Sequence, residues 1–288
     1  MTTDAMRSPA DVPRLTLEQP TGDVMIPQLG FGVWQVPDDD AQPAVEKALE
    51  IGYRHLDTAR IYGNEEGVGR AIRTAGLPRE ELFVTTKVWN SDHGAEATRA
   101  ALVGSLERLG LDRLDLYLIH WPTPEQDAYS ETWSTLLQLR EEGLTRAVGV
   151  CNFHISHLKR VHRDSGEYPV LNQVELHPYL QQTALREFHD SHGITTQSWS
   201  PLASGKKVLD DLAVQAIAHA HGATPAQIIL AWHRQSGFVV IPKSVTPARI
   251  EENFRSLAVT LTDAEMLTIS TLDRGMRTGP DPAEFNLR

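Results

Sequence analysis

The chain has 288 residues, of which 41% are hydrophobic and 23% charged, as is usual for one large folded α/β domain. Its net charge of −11 argues against a nucleic-acid partner and against an anionic membrane surface. The single cysteine, Cys151, excludes an intrachain disulfide and a cysteine-rich zinc site, and it suits a reducing cytoplasm.

The amino-terminal segment is polar and has no apolar run, so we interpret residues 1–12 as a flexible tail rather than a signal peptide. No run of about 18 apolar residues occurs in the sequence, which predicts that nothing spans a membrane. Residues 13–288 are expected to form a single domain. Its first predicted element is a β-hairpin, in which the runs 15–17 and 24–26 flank a turn at 21–23.

Short β-rich runs then alternate with helical patterns through most of the chain. The expected strand ends are Gly32, Asp57, Lys87, His120, Val150, Val174, Trp199 and Val240. They follow one another at intervals of 24 to 41 residues, and each interval has room for a strand, a loop and a helix. Eight such units predict an α/β fold, a (β/α)8 TIM barrel, and the preceding hairpin is placed to close the bottom of the barrel.

The helical patterns support this prediction. Helices are expected at 41–51, 95–109, 128–142, 208–221, 225–235 and 263–273. Thr224-Pro225 and Thr246-Pro247 each indicate a helix start, with a capping threonine followed by proline at the first helical position. The alternative fold is an open doubly wound sheet that binds a dinucleotide. It would need a third glycine shortly after Gly30-Phe31-Gly32, and the sequence has none there.

Four polar residues stand at or just after predicted strand ends, namely Asp57, Tyr62, Lys87 and His120. Because barrel active sites lie at the carboxyl ends of the strands, we expect these side chains to converge in one cleft. The ammonium would lower the phenol pKa from its usual value of about 10, and the carboxylate would hold the ammonium. The phenol could then protonate an oxygen that gains negative charge as hydride arrives at carbon, while the imidazole positions that oxygen. Taken singly, each residue could equally serve packing or capping.

Several motifs in order make the chain resemble the aldo-keto reductase family. They are GFGVW at 30–34, GYRHLDTA at 52–59, YGNE at 62–65, TKVW at 86–89, DLYLIHWP at 115–122, VGV at 148–150, NQVE at 172–175, WSPL at 199–202 and IPKS at 241–244. The tail at 273–286 resembles the bacterial 2,5-diketo-D-gluconate reductase branch. The resemblance implies a barrel enzyme that reduces carbonyl compounds with NADPH, with Asp57, Tyr62, Lys87 and His120 as the catalytic tetrad and Tyr62 as its general acid.

The resemblance also implies a cofactor cleft. Trp199 would stack on the nicotinamide ring, and Asn152 and Gln173 would bond its carboxamide. The remaining cofactor-binding residues are expected to be Ser200, Leu202, Ser204, Lys243, Ser244, Val245, Arg249, Glu252 and Asn253. Lys243 and Arg249 form a cationic patch in an acidic chain, near the last strand and a helix start, where barrels commonly bind phosphate. This patch favours a 2′-phosphate, and therefore NADPH over NADH.

On the substrate side, aromatic residues follow predicted strand ends. Phe31, Trp34, Trp89 and Trp121 are expected to line a pocket for a small carbonyl compound. The short loop after His120 and the short carboxy-terminal tail indicate an open pocket. Cys151 departs from the family pattern, because many relatives carry serine before the asparagine, and a thiol is a weaker hydrogen-bond partner.

Two other functions fit parts of the sequence. A non-catalytic NADP(H)-binding regulatory subunit could share the same barrel, although the intact tetrad argues against it. A metal-dependent barrel hydrolase would need several converging ligands, and only Asp57 and His120 stand convincingly at strand ends, so no metal site is expected. We further expect a cytoplasmic monomer. The sequence does not identify the physiological substrate.

Overall fold

The computed structural model describes residues 12–205 and 207–287. The predicted tail at 1–12 therefore lies outside the described residues, except for Val12, which is buried. A hairpin comes first, formed by β1 (Arg14–Leu17) and β2 (Val24–Pro27), which pair antiparallel. Leu17 and Ile26 of the hairpin are fully buried and pack into one apolar cluster with side chains of the main sheet. The hairpin thus closes the bottom of the barrel, as predicted.

Eight parallel strands form the main sheet, and neighbours in sequence are neighbours in space. The strands are β3 (Phe31–Gly32), β4 (His55–Asp57), β5 (Phe83–Val88), β6 (Leu114–Ile119), β7 (Thr145–Cys151), β8 (Leu171–Glu175), β9 (Thr195–Trp199) and β10 (Val239–Val240). Every predicted strand end lies within one residue of an observed one. The (β/α)8 barrel prediction is confirmed.

The barrel closes where its first and last strands meet. Backbone hydrogen bonds run from the Gly30 N–H to the Val240 carbonyl, at 2.9 Å, and from the Gly32 N–H to the Pro242 carbonyl, at 3.1 Å. Glycine is required at position 30, because a Cβ there would lie 2.6 Å from Nδ1 of His55. The absence of a side chain therefore lets the first strand approach its neighbours closely enough to complete the ring.

Ten helices are present in the described part of the chain. They are α1 (Asp38–Ile51), α2 (Glu65–Thr74), α3 (Ala95–Leu109), α4 (Tyr129–Glu141), α5 (Ile155–Ser165), α6 (Thr183–Ser191), α7 (Leu212–His221), α8 (Pro225–Gln235), α9 (Pro247–Arg255) and α10 (Asp263–Ser270). None of the helices in residues 12–205 and 207–287 is long and apolar enough to cross a membrane.

The observed first residues of three helices can be compared with the helix starts predicted from the sequence. Thr224 caps α8 in a capping box with Gln227, as predicted. Thr246 stands at the start of α9, but its hydroxyl makes no capping bond, and its own N–H donates to the Ser244 hydroxyl instead. The predicted helix at 208–221 begins only at Leu212, because Asp211 caps it by accepting a bond from the Ala213 N–H.

Candidate active site

A buried ion pair lies at the carboxyl ends of β4 and β5. Nζ of Lys87 donates to Oδ1 of Asp57 at 2.5 Å and to the Thr58 carbonyl at 2.8 Å. The second carboxylate oxygen of Asp57 accepts from Nε2 of Gln173 on β8, at 2.8 Å. The lysine side chain is completely buried and that of Asp57 is 3% exposed. An ion pair at this depth holds its geometry only because each polar group has a fixed partner.

Tyr62 and His120 stand beside this ion pair. Tyr62 ends a short helical turn after β4, in which its N–H bonds to the Ala59 carbonyl. Nζ of Lys87 lies 5.2 Å from the centre of the Tyr62 ring. The His120 ring meets the Tyr62 ring edge to face at 5.6 Å, and it meets the ring of Trp89 in the same way at 5.1 Å. The structure therefore brings all four residues of the predicted tetrad together.

The protonation of the cluster departs from one expectation. Burial raises the pKa of Tyr62 to about 12, because desolvation of the phenolate outweighs the opposing effect of the Lys87 charge. Lys87 does lower the pKa of Tyr62, as expected, but burial raises it by more, so the net change is an increase. Burial opposes the charge of Lys87 as well, yet Asp57 holds the lysine pKa above its usual value. The cluster thus keeps a neutral phenol beside a charged ammonium.

His120 is neutral in this cluster. Burial lowers its pKa well below the usual range, and the nearby charge of Lys87 lowers it further. Its Nδ1 atom is buried and has no hydrogen-bond partner in the described part of the chain. A neutral imidazole can donate from one ring nitrogen only, so it can contact a substrate oxygen without adding a charge to the site.

Three residues predicted to hold the nicotinamide lie next to the tetrad and bond to one another. Asn152 follows β7 with a left-handed backbone angle φ of 63°. Its amide nitrogen donates to the His120 carbonyl at 3.0 Å, and its amide oxygen accepts from Nε1 of Trp199 at 2.8 Å. Gln173 directs its nitrogen to Asp57. Asn152 therefore fixes the indole of Trp199, and Gln173 helps to fix the ion pair.

The loop after β9 holds three further predicted residues. Ser200 has a left-handed φ of 47°, and its hydroxyl lies 3.4 Å from that of Ser204. Ser204 is exposed, whereas Leu202 is half-buried against the core. The loop therefore presents hydroxyl groups to solvent on the same side of the barrel as Trp199.

The predicted phosphate site lies after β10. Lys243, Val245 and Arg249 are exposed, and neither cation forms an ion pair with any described residue. Ser244 is buried, and its hydroxyl accepts from the Thr246 N–H at 3.1 Å. Two exposed cations without acidic partners are what an anionic ligand requires.

The last two predicted cofactor-binding residues, Glu252 and Asn253, lie on α9 and are both at least partly buried. Asn253 is buried in α9. The carboxylate of Glu252 accepts from the Thr224 hydroxyl at 2.7 Å, which ties α9 to the start of α8. Glu252 is therefore already engaged within the protein, a contact between distant residues that its helix pattern does not reveal.

One predicted pocket residue lies elsewhere. Phe31 is buried against Tyr53, at 5.6 Å between ring centres, and Tyr53 packs in turn on Phe254 of α9. The prediction that Phe31 lines the pocket is wrong. Side chains alternate along a strand, and the neighbouring Gly30 faces His55 in the interior, so Phe31 points outward to the helices.

The three tryptophans predicted to line the pocket differ in exposure, and Trp89 contacts the His120 ring of the tetrad. Trp34 is 49% exposed in the loop after β3. Trp89 and Trp121 are buried, and both contact Phe285 of the carboxy-terminal tail, with ring centres 6.5 and 4.3 Å apart. The tail is short, as expected, yet it does not leave this side of the pocket open, because Phe285 covers both rings. Sequence reasoning missed Phe285, since nothing in its local pattern indicates a long-range contact.

Cys151 ends β7 and faces the barrel interior among apolar side chains such as Leu118. Burial raises the pKa of its thiol, so the group stays protonated and unreactive. Cys151 is therefore not a nucleophile in this site.

Sequence comparisons place the chain among known reductases. The aldo/keto reductase family model matches residues 28–274. Methylglyoxal reductase DkgA of Escherichia coli (strain K12) is 52% identical over 265 residues, which cover 92% of this chain and 95% of that protein. An aldo-keto reductase of Mycolicibacterium smegmatis is 48% identical over 274 residues, covering 95% and 98%.

Solved structures agree. A Gox0644 mutant in complex with NADPH superposes with a TM-score of 0.89 at 43% identity, over 95% of this chain and 99% of that one. An aldo/keto reductase from Brucella melitensis superposes with a TM-score of 0.86 at 51% identity, over 91% and 100%. With the family model matching most of its length and its barrel superposing on those of relatives, this chain belongs to the aldo/keto reductase family.

Proposed function

We propose that this chain reduces aldehydes and ketones to alcohols with NADPH, and that Tyr62 is the general acid. Family membership supports the reaction class. The observation that carries the assignment of the acid is the cluster itself, in which the neutral Tyr62 phenol lies between the Lys87 ammonium and the His120 imidazole. A solved relative, Gox0644, is a complex with NADPH, which supports the choice of cofactor.

The residues present fit NADPH. The indole of Trp199 is fixed by its bond to Asn152 and offers a flat surface at a strand end. The exposed cations Lys243 and Arg249 have no acidic partner in the described part of the chain, so an anionic phosphate group would find both charges available. When bound, NADPH supplies the hydride that reduces the carbonyl carbon.

Residues of the tetrad transfer the proton to the substrate oxygen. Hydride arrival at carbon places negative charge on the carbonyl oxygen, and Tyr62 donates its hydroxyl proton there. Lys87 stabilises the phenolate that remains, and Asp57 keeps Lys87 charged and fixed. The neutral imidazole of His120 donates a hydrogen bond that orients the carbonyl oxygen. Trp89 and Trp121 exclude water from this exchange.

A small carbonyl compound is the proposed substrate. The relative at 52% identity is a methylglyoxal reductase, which makes methylglyoxal the first compound to test. Aromatic walls formed by Trp89, Trp121 and Phe285 also fit larger flat aldehydes such as benzaldehyde.

The test is Tyr62→Phe, compared with Tyr168→Phe as a control in the loop between α5 and β8, away from the tetrad. Losing the general acid is expected to lower kcat about 10²- to 10⁴-fold, followed as loss of NADPH absorbance with methylglyoxal. NADPH binding, measured by fluorescence titration, is expected to be unchanged in both variants. A Tyr62→Phe variant that turns over near the wild-type rate would show that another group donates the proton. A wild-type chain that binds NADPH but reduces no carbonyl would support a regulatory subunit instead.

Monomeric state and cytoplasmic location belong to the same proposal. The single buried cysteine suits a reducing compartment. The cleft is built from one chain, since the tetrad, Trp199 and the cationic patch all come from a single barrel. Light scattering on the purified protein tests the first point, and cell fractionation tests the second.

A further inference from the structure

A buried carboxylate stands at the end of β8, apart from the tetrad. Glu175 has a completely buried side chain. Its Oε1 atom accepts from the N–H and from the hydroxyl of Thr278, both at 2.6 Å, and its Oε2 atom accepts from the Gly279 N–H at 3.1 Å. Nε2 of His177 lies 3.1 Å from Oε1. Three of these four contacts join the barrel to the carboxy-terminal tail.

The tail is attached again farther along, on the other side of the site. Nδ2 of Asn90, after β5, donates to the Leu287 carbonyl at 2.7 Å. The Glu125 N–H, after β6, donates to the side-chain oxygen of Asn286 at 3.0 Å. Residues 278–287 therefore run across the carboxyl end of the barrel, from β8 to the loops after β5 and β6.

The attached tail presses on two aromatic side chains of the proposed site. A Cβ at position 279 would lie 2.5 Å from Cη2 of Trp199, so the Gly279 backbone packs directly on that indole. The opposite edge of the indole is held by Asn152. Farther along, the Phe285 ring packs on Trp121. The tail thus fixes one wall that faces the proposed cofactor and one wall that faces the proposed substrate.

We propose that Glu175 is a positioning residue for carbonyl reduction, which acts by anchoring the tail so that Phe285 completes a binding wall for flat, apolar carbonyl substrates. The inference rests on the proposed function. Glu175 does not touch the reacting atoms, and its effect passes through Thr278 and Gly279 to the rings of Trp199 and Phe285.

Two carboxylate oxygens are needed for this anchor. Each oxygen of an ionised carboxylate accepts hydrogen bonds and none donates, so both can receive the donors of Thr278 and Gly279 at once. A glutamine at position 175 keeps one acceptor oxygen and directs an NH₂ group at the remaining donors. The glutamine NH₂ group and the tail's N–H or O–H group would then both be donors and could not bond to each other. The tail therefore loses at least one charge-assisted bond.

The experiment compares Glu175→Gln with Asp115→Asn. Asp115 is a matched control, because it is also a buried carboxylate that accepts from a backbone N–H, that of Val84, but at the opposite end of the barrel. For Glu175→Gln we expect the KM of benzaldehyde to rise about tenfold, with kcat within about twofold and the KM of methylglyoxal within about twofold. Methylglyoxal is too small to depend on Phe285. Asp115→Asn is expected to leave the ratio of the two KM values unchanged.

Trypsin gives a readout that does not need turnover. An anchored tail protects the bond after Arg277, next to Thr278, and cleavage there removes residues 278–288, which mass spectrometry detects. We expect this cleavage to be faster in Glu175→Gln than in wild type or Asp115→Asn. Cleavage of Glu175→Gln at the wild-type rate would show that Glu175 does not anchor the tail. This result does not depend on whether Tyr62 is the general acid.

A double variant tests the route through Phe285. If Glu175 acts by placing Phe285, then Glu175→Gln with Phe285→Ala raises the KM of benzaldehyde no more than Phe285→Ala alone. Effects that multiply would show that Glu175 acts by another path. An unchanged KM ratio in Glu175→Gln, with a loss of stability like that of Asp115→Asn, would show that Glu175 is only structural.

Discussion

Asp115 and Asp57 are buried carboxylates at opposite ends of the same barrel, and their cationic partners differ. At the bottom, Asp115 is paired with Arg79 and Arg146, whose side chains are 33% and 39% exposed. At the top, Asp57 is paired with Lys87, which water does not reach. A cation at the bottom can recover hydration when its partner is lost, whereas Lys87 cannot.

This difference separates a structural end from a reactive end. The bottom is plugged by the hairpin, whose Leu17 and Ile26 fill the barrel interior. The top keeps a buried charge beside a phenol and beside Nδ1 of His120, which has no hydrogen-bond partner among residues 12–205 and 207–287. A buried polar atom without a partner costs stability, and beside a buried ion pair and a phenol it makes His120 a candidate for contact with a ligand or a reacting group.

The largest effect is expected from removing the top carboxylate charge. Asp57→Asn leaves the Lys87 ammonium buried without its counter-ion, which we expect to cost about 3–5 kcal/mol of unfolding free energy. It should also lower kcat/KM about 100-fold or more, since Lys87 is no longer held for Tyr62. Urea unfolding and steady-state rates measure the two effects.

The matched change at the bottom is Asp115→Asn. Because Arg79 and Arg146 remain partly hydrated, we expect a cost of only about 1–2 kcal/mol and unchanged kcat/KM. Equal losses of activity from Asp57→Asn and Asp115→Asn would remove the distinction between the two ends.

The next effect concerns the cationic patch at the top. Replacing Lys243 by glycine and Arg249 by histidine removes both exposed charges proposed for the 2′-phosphate. We expect the Kd of NADPH to rise about 10- to 100-fold, because each charge-assisted bond contributes about 1.5–3 kcal/mol before solvent screening, and the Kd of NADH to stay within about twofold. Fluorescence titration measures both.

Arg255→His is the control for the patch. Arg255 lies on the same helix, α9, but is paired with Glu251 on the helix surface. This variant is expected to bind both cofactors as wild type does. If the Lys243 and Arg249 double variant weakened NADPH and NADH alike, the patch would not discriminate the 2′-phosphate.

His55, near the bottom of the barrel, is one of several buried histidines whose neutral form contributes to stability, because burial lowers their pKa values. His55 bonds there to the Pro27 carbonyl and the Thr85 hydroxyl, and burial lowers its pKa to about 4. Between pH 6.5 and 4 the unfolded chain binds a proton that the folded chain does not. The stability from the neutral His55 is therefore complete above the unfolded pKa, and it falls as pH drops through this range.

We expect His55 to account for a loss of about 1–2 kcal/mol in unfolding free energy between pH 7 and pH 5. His55→Gln should lack this loss, although it is less stable at pH 7. His219→Gln, on the exposed face of α7, serves as control and should keep the wild-type pH dependence. Urea unfolding at pH 7 and pH 5 measures the loss in each variant. If His55→Gln lost as much unfolding free energy as the wild type, His55 would not be the cause.

Much of the top end could be predicted from local sequence. The strand ends at Asp57 and Trp199 agree with the structure, and those at Lys87 and His120 differ by one residue, because each strand run stops at polar or turn residues. The alternation of side chains could also have placed Phe31 correctly, since Gly30 and Gly32 occupy the inward positions.

The attachment of the carboxy-terminal tail and the burial of the tetrad could not be predicted from local sequence, because both depend on contacts between distant residues. Glu175 and Thr278 are 103 positions apart, and the tail has no periodicity that would indicate its anchor. The pattern of strand ends places Lys87 near Tyr62 and so predicts a lowered pKa for Tyr62. The pKa is raised instead, because the whole barrel buries the phenol. Sequence patterns therefore predict which charges meet but not how completely water is removed from them.

The smallest expected effect is the alkaline dependence of reduction. Because burial raises the pKa of Tyr62 to about 12, the phenol keeps its proton at ordinary pH, and His120 is already neutral because burial lowers its pKa. We expect kcat/KM for methylglyoxal to change by less than about twofold between pH 7 and 9, as measured by initial rates in buffers of constant ionic strength. Asp115→Asn should give the same flat profile. A tenfold fall over this range would mean that the proton donor titrates near pH 8, which neither the buried phenol nor the bottom of the barrel can explain.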